Sequence, residues 1–420
     1  MTALRRWLIP SLVVALGFVG SACSAAPPGE RIASDKARVT KPDVPAEDFA
    51  ALVSGNTNFA ASLYRQISKP GSNLLFSPFS ISHAFAMVYA GARGDTESQM
   101  AQALHFTLPR ERLHPAVNAL NLALQARTEA KVEGGAPPSL RVVNAAWGQK
   151  GLAFESPFLD VLAQHYGTGM YAVDFTTKAE SIREDVNAWV EKQTMGRIQD
   201  LLSEGMVTVD TRLLLANALY FKGEWQESFE NTRDAPFHTL NGGTRQVPMM
   251  RGLSKVSFLD GEDFDAVAIP YKGQAFRMLV IVPDAGRFAE VESRLSADFL
   301  DSVRAGLRSS PISLGLPRFK VTQATRLDEA LKALGMVDAF SEDADLSGVS
   351  QQEELLISAA QHQAFIAVDE KGTEAAAATA VVIIEESAPP PPYLVDRPFL
   401  FLIEDVETKS VLFLGRLVNP

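Results

Sequence analysis

Over residues 46–68 the apolar positions Phe49, Leu52, Val53, Phe59, Leu63 and Ile67 fall at helical spacing, with an interruption at Gly55. The apolar Leu74, Leu75 and Phe76 come next. Ser77 then offers a cap and Pro78 suits a first helical turn, which predicts a helix through Ile81 to Tyr89. Asp95 or Thr96 caps a further helical segment reaching Leu104, and 181–194 is again amphipathic. Beyond Thr211 the pattern changes to β-branched and aromatic runs. These predict strands over 211–221, 266–271, 276–282, 312–319, 355–369, 399–405 and 411–417. Helices dominate the first half and strands the second, with no regular βα alternation. That order predicts a mixed α+β domain and argues against a doubly wound sheet. No internal repeat is evident.

The first 22 residues read as an export signal: Arg5 and Arg6, an apolar run over 7–19, then Gly20-Ser21-Ala22. Cys23, the sole cysteine, follows those small residues as a candidate lipid acceptor and membrane tether, although Gly20 stands where such sites usually carry Leu. The competing reading is a plain secretory leader with an incidental cysteine. No intrachain disulfide can form, so stability rests on packing. Residues 23–45, rich in Ala, Pro and charge, predict a disordered tether before a single domain over 46–420. An exported protein, extracellular or periplasmic, is expected. The net charge is −11, about −13 without the leader arginines (37 minus 50), and no Lys/Arg run is long enough to hold a nucleic acid.

Catalytic signatures are missing from the sequence. There is no phosphate loop, dinucleotide fingerprint or Gly-x-Ser-x-Gly elbow, and no Ser-x-x-Lys with Lys-Thr-Gly. The six histidines are scattered without zinc-ligand spacing, so no metal and no cofactor is expected. The unusual stretch is Gly372-Thr373-Glu374-Ala375-Ala376-Ala377-Ala378-Thr379-Ala380, followed by Val381-Val382-Ile383-Ile384 and later by Pro389-Pro390-Pro391-Pro392. An alanine-rich helix start or a flexible linker would account for the alanines. Neither accounts for the β-branched run after them, which would be an aggregation hazard on a linker.

This stretch resembles the hinge and reactive-centre loop of serpins. The same family pattern is met at Phe76-Ser77-Pro78-Phe79-Ser80, at Leu215-Ala216-Asn217-Ala218-Leu219-Tyr220-Phe221-Lys222-Gly223-Glu224-Trp225, at Leu316-Pro317-Arg318-Phe319-Lys320, and in the close from Leu394 to Pro420. The resemblance runs in family order from about Phe49 to the last residue. It implies the serpin fold, three β-sheets surrounded by about eight to nine helices, metastable, with an exposed loop over about 371–396. It also implies a monomeric suicide inhibitor of a serine-type endopeptidase, without enzymatic turnover of its own. After cleavage, 372–386 would insert as a new strand of the main sheet. About 15 residues would span on the order of 50 Å. Alternation puts Thr373, Ala375, Ala377, Thr379, Val381 and Ile383 on the inward face, all small or apolar, and the charge of Glu374 on the outward one. Non-inhibitory relatives tend to carry charged, bulky or proline residues in the hinge; here Thr373 and Ala375, Ala376, Ala377 and Ala378 leave it free. The alternative is a non-inhibitory, serpin-like surface or ligand-binding protein.

Family spacing from Gly372 places the reactive bond at Glu386-Ser387, the preferred assignment. Counting back from Pro398 gives Ser387-Ala388, and cleavage after Glu385 or Ile384 stays open. An acidic residue before the bond implies a glutamyl-specific target; cleavage near Ile384 would imply an elastase- or subtilisin-like one. The resemblance further implies a hydrogen-bonded cluster of Ser77, Ser80, Asn217 and His362 beneath the opening strands. It puts Trp225 where insertion begins, and a gating pair of Glu370 and Arg318 at the base of the loop.

Overall fold

The computed structural model describes residues 26–352, 354–374 and 390–420. The predicted leader, Cys23, Ala375, Ala376, Ala377, Ala378 and the candidate bond residues Ile384, Glu385, Glu386 and Ser387 lie outside them.

In chain order the first half holds β1 (Glu30–Ile32), α1 (Ala46–Ile67), β2 (Leu74–Phe76), α2 (Pro78–Tyr89), α3 (Gly94–Ala103), α4 (Arg110–Glu129), β3 (Ser139–Gln149), α5 (Ser156–Val161), β4 (Met170–Val173) and α6 (Phe175–Gln193). Helix α1 runs unbroken through Gly55. That residue lacks a side chain because the His105 carbonyl oxygen would lie 2.4 Å from its Cβ. Ser77 caps α2 as its sequence implies, accepting from the Ser80 N–H at 3.1 Å. Helix α3 instead starts after Arg93 without a side-chain cap, and Thr96 is buried, its hydroxyl accepting from the Asp345 N–H at 2.9 Å. Helix α6 begins earlier than its amphipathic pattern, because Asp174 accepts from the Thr177 N–H at 3.2 Å and caps it there.

The second half holds β5 (Leu213–Glu224), β6 (Asn231–His238), β7 (Thr244–Leu253), β8 (Val256–Asp260), β9 (Phe264–Pro270), β10 (Phe276–Pro283), α7 (Phe288–Ser293), α8 (Ala297–Gly306), β11 (Arg308–Ser310), β12 (Ser313–Pro317), β13 (Phe319–Arg326), α9 (Leu327–Ala333), β14 (Ala359–Asp369), β15 (Gly372–Thr373), β16 (Pro392–Leu394), β17 (Phe399–Asp405) and β18 (Val411–Leu417). The run 312–319 is two strands, because the chain crosses between sheets at Arg318, whose N–H donates to the Pro248 carbonyl at 2.8 Å.

Among the described residues, nine α-helices surround three sheets. The main sheet has the order β1-β4-β3-β5-β15-β14-β13, the second β11-β8-β9-β10-β17-β18-β2, and the third β16-β12-β7-β6. The main sheet is covered on both faces. On β5, Leu213, Leu215, Leu219 and Phe221 enter the large core shared with α2 and the second sheet, while Leu214, Ala216 and Ala218 pack under α6 with Val186 and Val190. Both-face burial explains why this strand reads as a continuous apolar run.

The N-terminal segment departs from its expected character. Its composition predicts a disordered tether over 23–45, yet from Pro28 onward the segment is docked. Strand β1 pairs antiparallel with the edge strand β4, and the Pro28 carbonyl accepts from Trp147 Nε1 at 2.8 Å. The Val39 N–H donates to the Gln164 carbonyl at 2.9 Å. The physical reason lies in the partner: an edge strand offers unpaired backbone groups that any extended segment can satisfy.

Candidate functional site

The site is built where β5 and β14 meet. They are parallel neighbours from Leu214 opposite Ala359 to Leu219 opposite Ala364. Higher up they part, and β15 is seated antiparallel between them, with Gly372 opposite Glu224 and Asp369, and Thr373 opposite Gly223 and Val368. The turn into β15 is tied by Asp369, whose Oδ1 accepts from the N–H groups of Lys371 at 2.9 Å and Gly372 at 3.2 Å. Gly372 has to be glycine here: a Cβ would lie 2.1 Å from the Gly223 carbonyl oxygen.

Around this seat stand the aromatic residues of the top of the sheet. Trp225 is fully buried and stacks on Tyr271 with ring centroids 4.5 Å apart. Its backbone N–H donates to the Lys371 carbonyl at 2.7 Å and its Nε1 to the Asp369 carbonyl at 2.9 Å. The Tyr271 hydroxyl meets Thr373 Oγ1 at 2.7 Å, and burial pushes that phenol's pKa well up, keeping it neutral. Glu370 lies between Thr232 and Arg318 and bonds to both. Burial works against its charge, but these two partners outweigh it and hold the carboxyl below the ordinary range.

Thr373 is fully buried on the core side; Glu374, at φ 57°, ends the strand and turns to the other face. Its N–H donates to the Ala367 carbonyl at 2.9 Å, and its nearly buried carboxylate accepts from Arg197 Nε at 2.9 Å. Tyr220 lies beside the same carboxylate; burial and then that neighbour raise its phenol pKa. Arg197, Tyr220, Phe365, Ala367 and Glu374 line a cleft of about 720 Å³ over this face of the sheet.

Below the seat, His362 sits on β14, fully buried. Its Nε2 accepts from the Ser77 N–H at 3.0 Å, so its proton resides on Nδ1, which faces Asn217 Oδ1 at 2.5 Å. Burial pulls its pKa down to about 3, and the ring is neutral. Asn217 Nδ2 donates to the carbonyl and the hydroxyl oxygen of Ser80, each at 2.6 Å, and also meets Asn144 on β3. One polar network thus joins the start of α2 to β3, β5 and β14 at the line along which β5 and β14 would separate.

The structure brings together Glu370 with Arg318, Trp225 with the hinge, and Ser77, Ser80, Asn217 and His362 with one another. Sequence reasoning missed Arg197, Tyr220, Tyr271, Thr232 and Asn144. Each is far along the chain from its partner, so no local spacing announces it.

Residues 54–420 match the family model described as Serpin (serine protease inhibitor). The chain is 38% identical over 386 residues to leukocyte elastase inhibitor of Bos taurus, covering 88% of this chain and 99% of the relative. It is 37% identical over 375 residues to an uncharacterised serpin-like protein of Thermococcus kodakarensis, covering 88% and 86%. Among solved structures, the thermophilic serpin tengpin in its native state superposes with a TM-score of 0.80 at 26% identity, covering 92% and 97%.

Proposed function

The chain belongs to the serpin family, and on that premise we propose that it is a suicide inhibitor of a serine-type endopeptidase. The observation that carries this reading is the seated hinge. Gly372 and Thr373 already occupy the first positions of a new strand between β5 and β14. The protease serine hydroxyl adds to the carbonyl before the reactive bond, and the peptide C–N bond breaks. The proton leaves with the new amine, and an ester joins the two proteins. Freed at that end, the loop continues along the strand Thr373 has begun, before water can cleave the ester. The preferred bond is Glu386-Ser387 with a glutamyl-specific target; the names of the relatives add weight to an elastase-type enzyme.

Mixing the full chain with a glutamyl-specific protease, an elastase and a subtilisin is expected to give, for one of them, a boiling-resistant band at the summed mass. Mass spectrometry of the released C-terminal fragment is expected to find Ser387 first. Clean nicking by all three, without such a band, would favour a non-inhibitory member. The leader and Cys23 carry a separate proposal of export with a lipid anchor. Fatty-acid labelling that persists in Cys23→Ala would overturn it.

A further inference from the structure

Beneath the docked N-terminal segment lies a group of side chains that the loop chemistry does not use. His83 comes from α2, His114 from α4, and His165 from a π-helical turn, Leu162–Tyr166, that extends α5. Tyr166 stands among them. Its hydroxyl is 2.8 Å from His114 Nδ1, and its ring meets His83 edge-on at 5.2 Å between centroids. His165 stacks on His114 at 6.4 Å.

Arg38 of the docked segment reaches the same place. Its Nε donates to Asn118 Oδ1 at 3.1 Å, and Asn118 Nδ2 returns a bond to the Val39 carbonyl at 2.6 Å. Four nitrogens here are buried and have no partner among the described residues: His83 Nδ1, His114 Nε2, His165 Nδ1 and Arg38 Nη2. The groups facing the rings are cationic or neutral. Arg38 faces His83; His165, Tyr166, Tyr89 and Arg110 face His114, and Glu97 pairs with Arg110 and meets the Tyr89 hydroxyl. No carboxylate bonds any of the three rings among the described residues. The segment's own charged contact, Lys36 with Asp160 at 3.6 Å, is made on the surface beyond them.

We propose that residues 28–41 form an acid-released clasp on the edge of the main sheet, closed over neutral histidines and opened when His83 and His114 take up protons. In the closed state burial, then the neighbouring cations, pull His83 down to about 4 and His114 to about 3, and burial lowers His165 as well. In an open state the rings return towards 6.5, so it binds the more protons at every pH below that value. Acid therefore favours release, beginning near pH 6.5 and growing until the closed-state values are reached. At pH 5 His83 and His114, on becoming exposed, each shift the closed–open ratio by about 30-fold.

The clasp ties the edge strand β4 to α5 and the π-turn through Asp160 and Gln164, and to α4 through Asn118. Strands β4, β3 and β5 form one paired block. Insofar as the loop enters the sheet as proposed above, that block must part from β14, and an open clasp removes one restraint on it.

The test is hydrogen exchange on the full chain at pH 7.5 and 5.0, corrected for intrinsic rates. Protection of the amides over 30–39 is expected to fall at pH 5 by about 30-fold for each of His83 and His114 exposed, while β17 keeps its protection. In His83→Gln with His114→Gln the contribution of those two rings is expected to be lost, leaving only what His165 supplies. Unchanged protection of the wild type at pH 5, or the same fall in the double variant, overturns the clasp. If that variant does not fold, ring titrations by NMR decide on the wild type. Midpoints that coincide with loss of amide protection uphold the clasp; rings titrating near 6.5 under a protected segment overturn it. No protease enters this experiment, so its outcome is independent of whether the chain inhibits one.

Discussion

At the scale of single residues the hinge is governed by space and by one charge. In Gly372→Val the new Cβ would meet backbone at 2.1 Å, which neither β5 nor β14 can yield without moving. The hinge is expected to leave its seat, and a protease that cuts the loop without being trapped should then cut it several times faster. An unchanged cleavage rate would refute the seating. Glu374 poses the electrostatic question. Its carboxylate is only 4% exposed, whereas Arg197 is 51% exposed, so the pair is partly screened from the Arg197 side. Removing Arg197 leaves the buried carboxylate with Tyr220 and without its cation, a loss of about 1–3 kcal/mol for a lost bond to a charged group. Arg197→Ala is therefore expected to lower unfolding stability more than Glu374→Gln does, and denaturant titration of both, with the double variant, reads the difference.

At the scale of elements, what holds the main sheet closed is the pairing of β5 with β14 and the network centred on His362. Asn217 and His362 sit opposite each other in the register and bond through their side chains as well. The ring is neutral with its pKa near 3 in the folded protein, against 6.5 when exposed. A depressed value means stability fully present above pH 6.5 and lost as protons bind the opened form, down to about pH 3. At pH 5 the loss is about 2 kcal/mol. Amides of residues 214–219 are accordingly expected to lose protection at pH 5, in a part of the sheet remote in sequence from the N-terminal clasp. Protection there that is independent of pH would remove His362 from this role.

At the scale of the whole molecule the expected property is metastability, because insertion of the cleaved loop as proposed would add a strand to the main sheet. Val381 and Ile383 are the large apolar residues that insertion would bury on the inward face, worth about 3–6 kcal/mol at roughly 1.5–3 each. A nick in the loop is thus expected to raise Tm by about 3–7 °C. Calorimetry before and after such a nick measures it, and an unchanged Tm would favour the non-inhibitory alternative.

The sequence by itself determined the elements whose causes are local. Ser77 and Pro78 start α2 in the structure as they do on paper, and the apolar runs at 399–405 and 411–417 are strands to the residue. The order of helices and strands sufficed for the α+β class, and the motifs for the family. Gly55 misled because a glycine inside a helix can answer to a close neighbour, here the His105 carbonyl, and leave the helix intact. Only the tertiary structure decided that Arg197 meets Glu374, that Tyr271 meets Thr373, and that a polar segment near the N-terminus becomes an edge strand and brings Arg38 to His83. Spacing and propensity report on neighbours within a turn or two; partners far along the chain are chosen by packing, by the backbone groups an edge leaves unpaired, and by the burial that sets a charge.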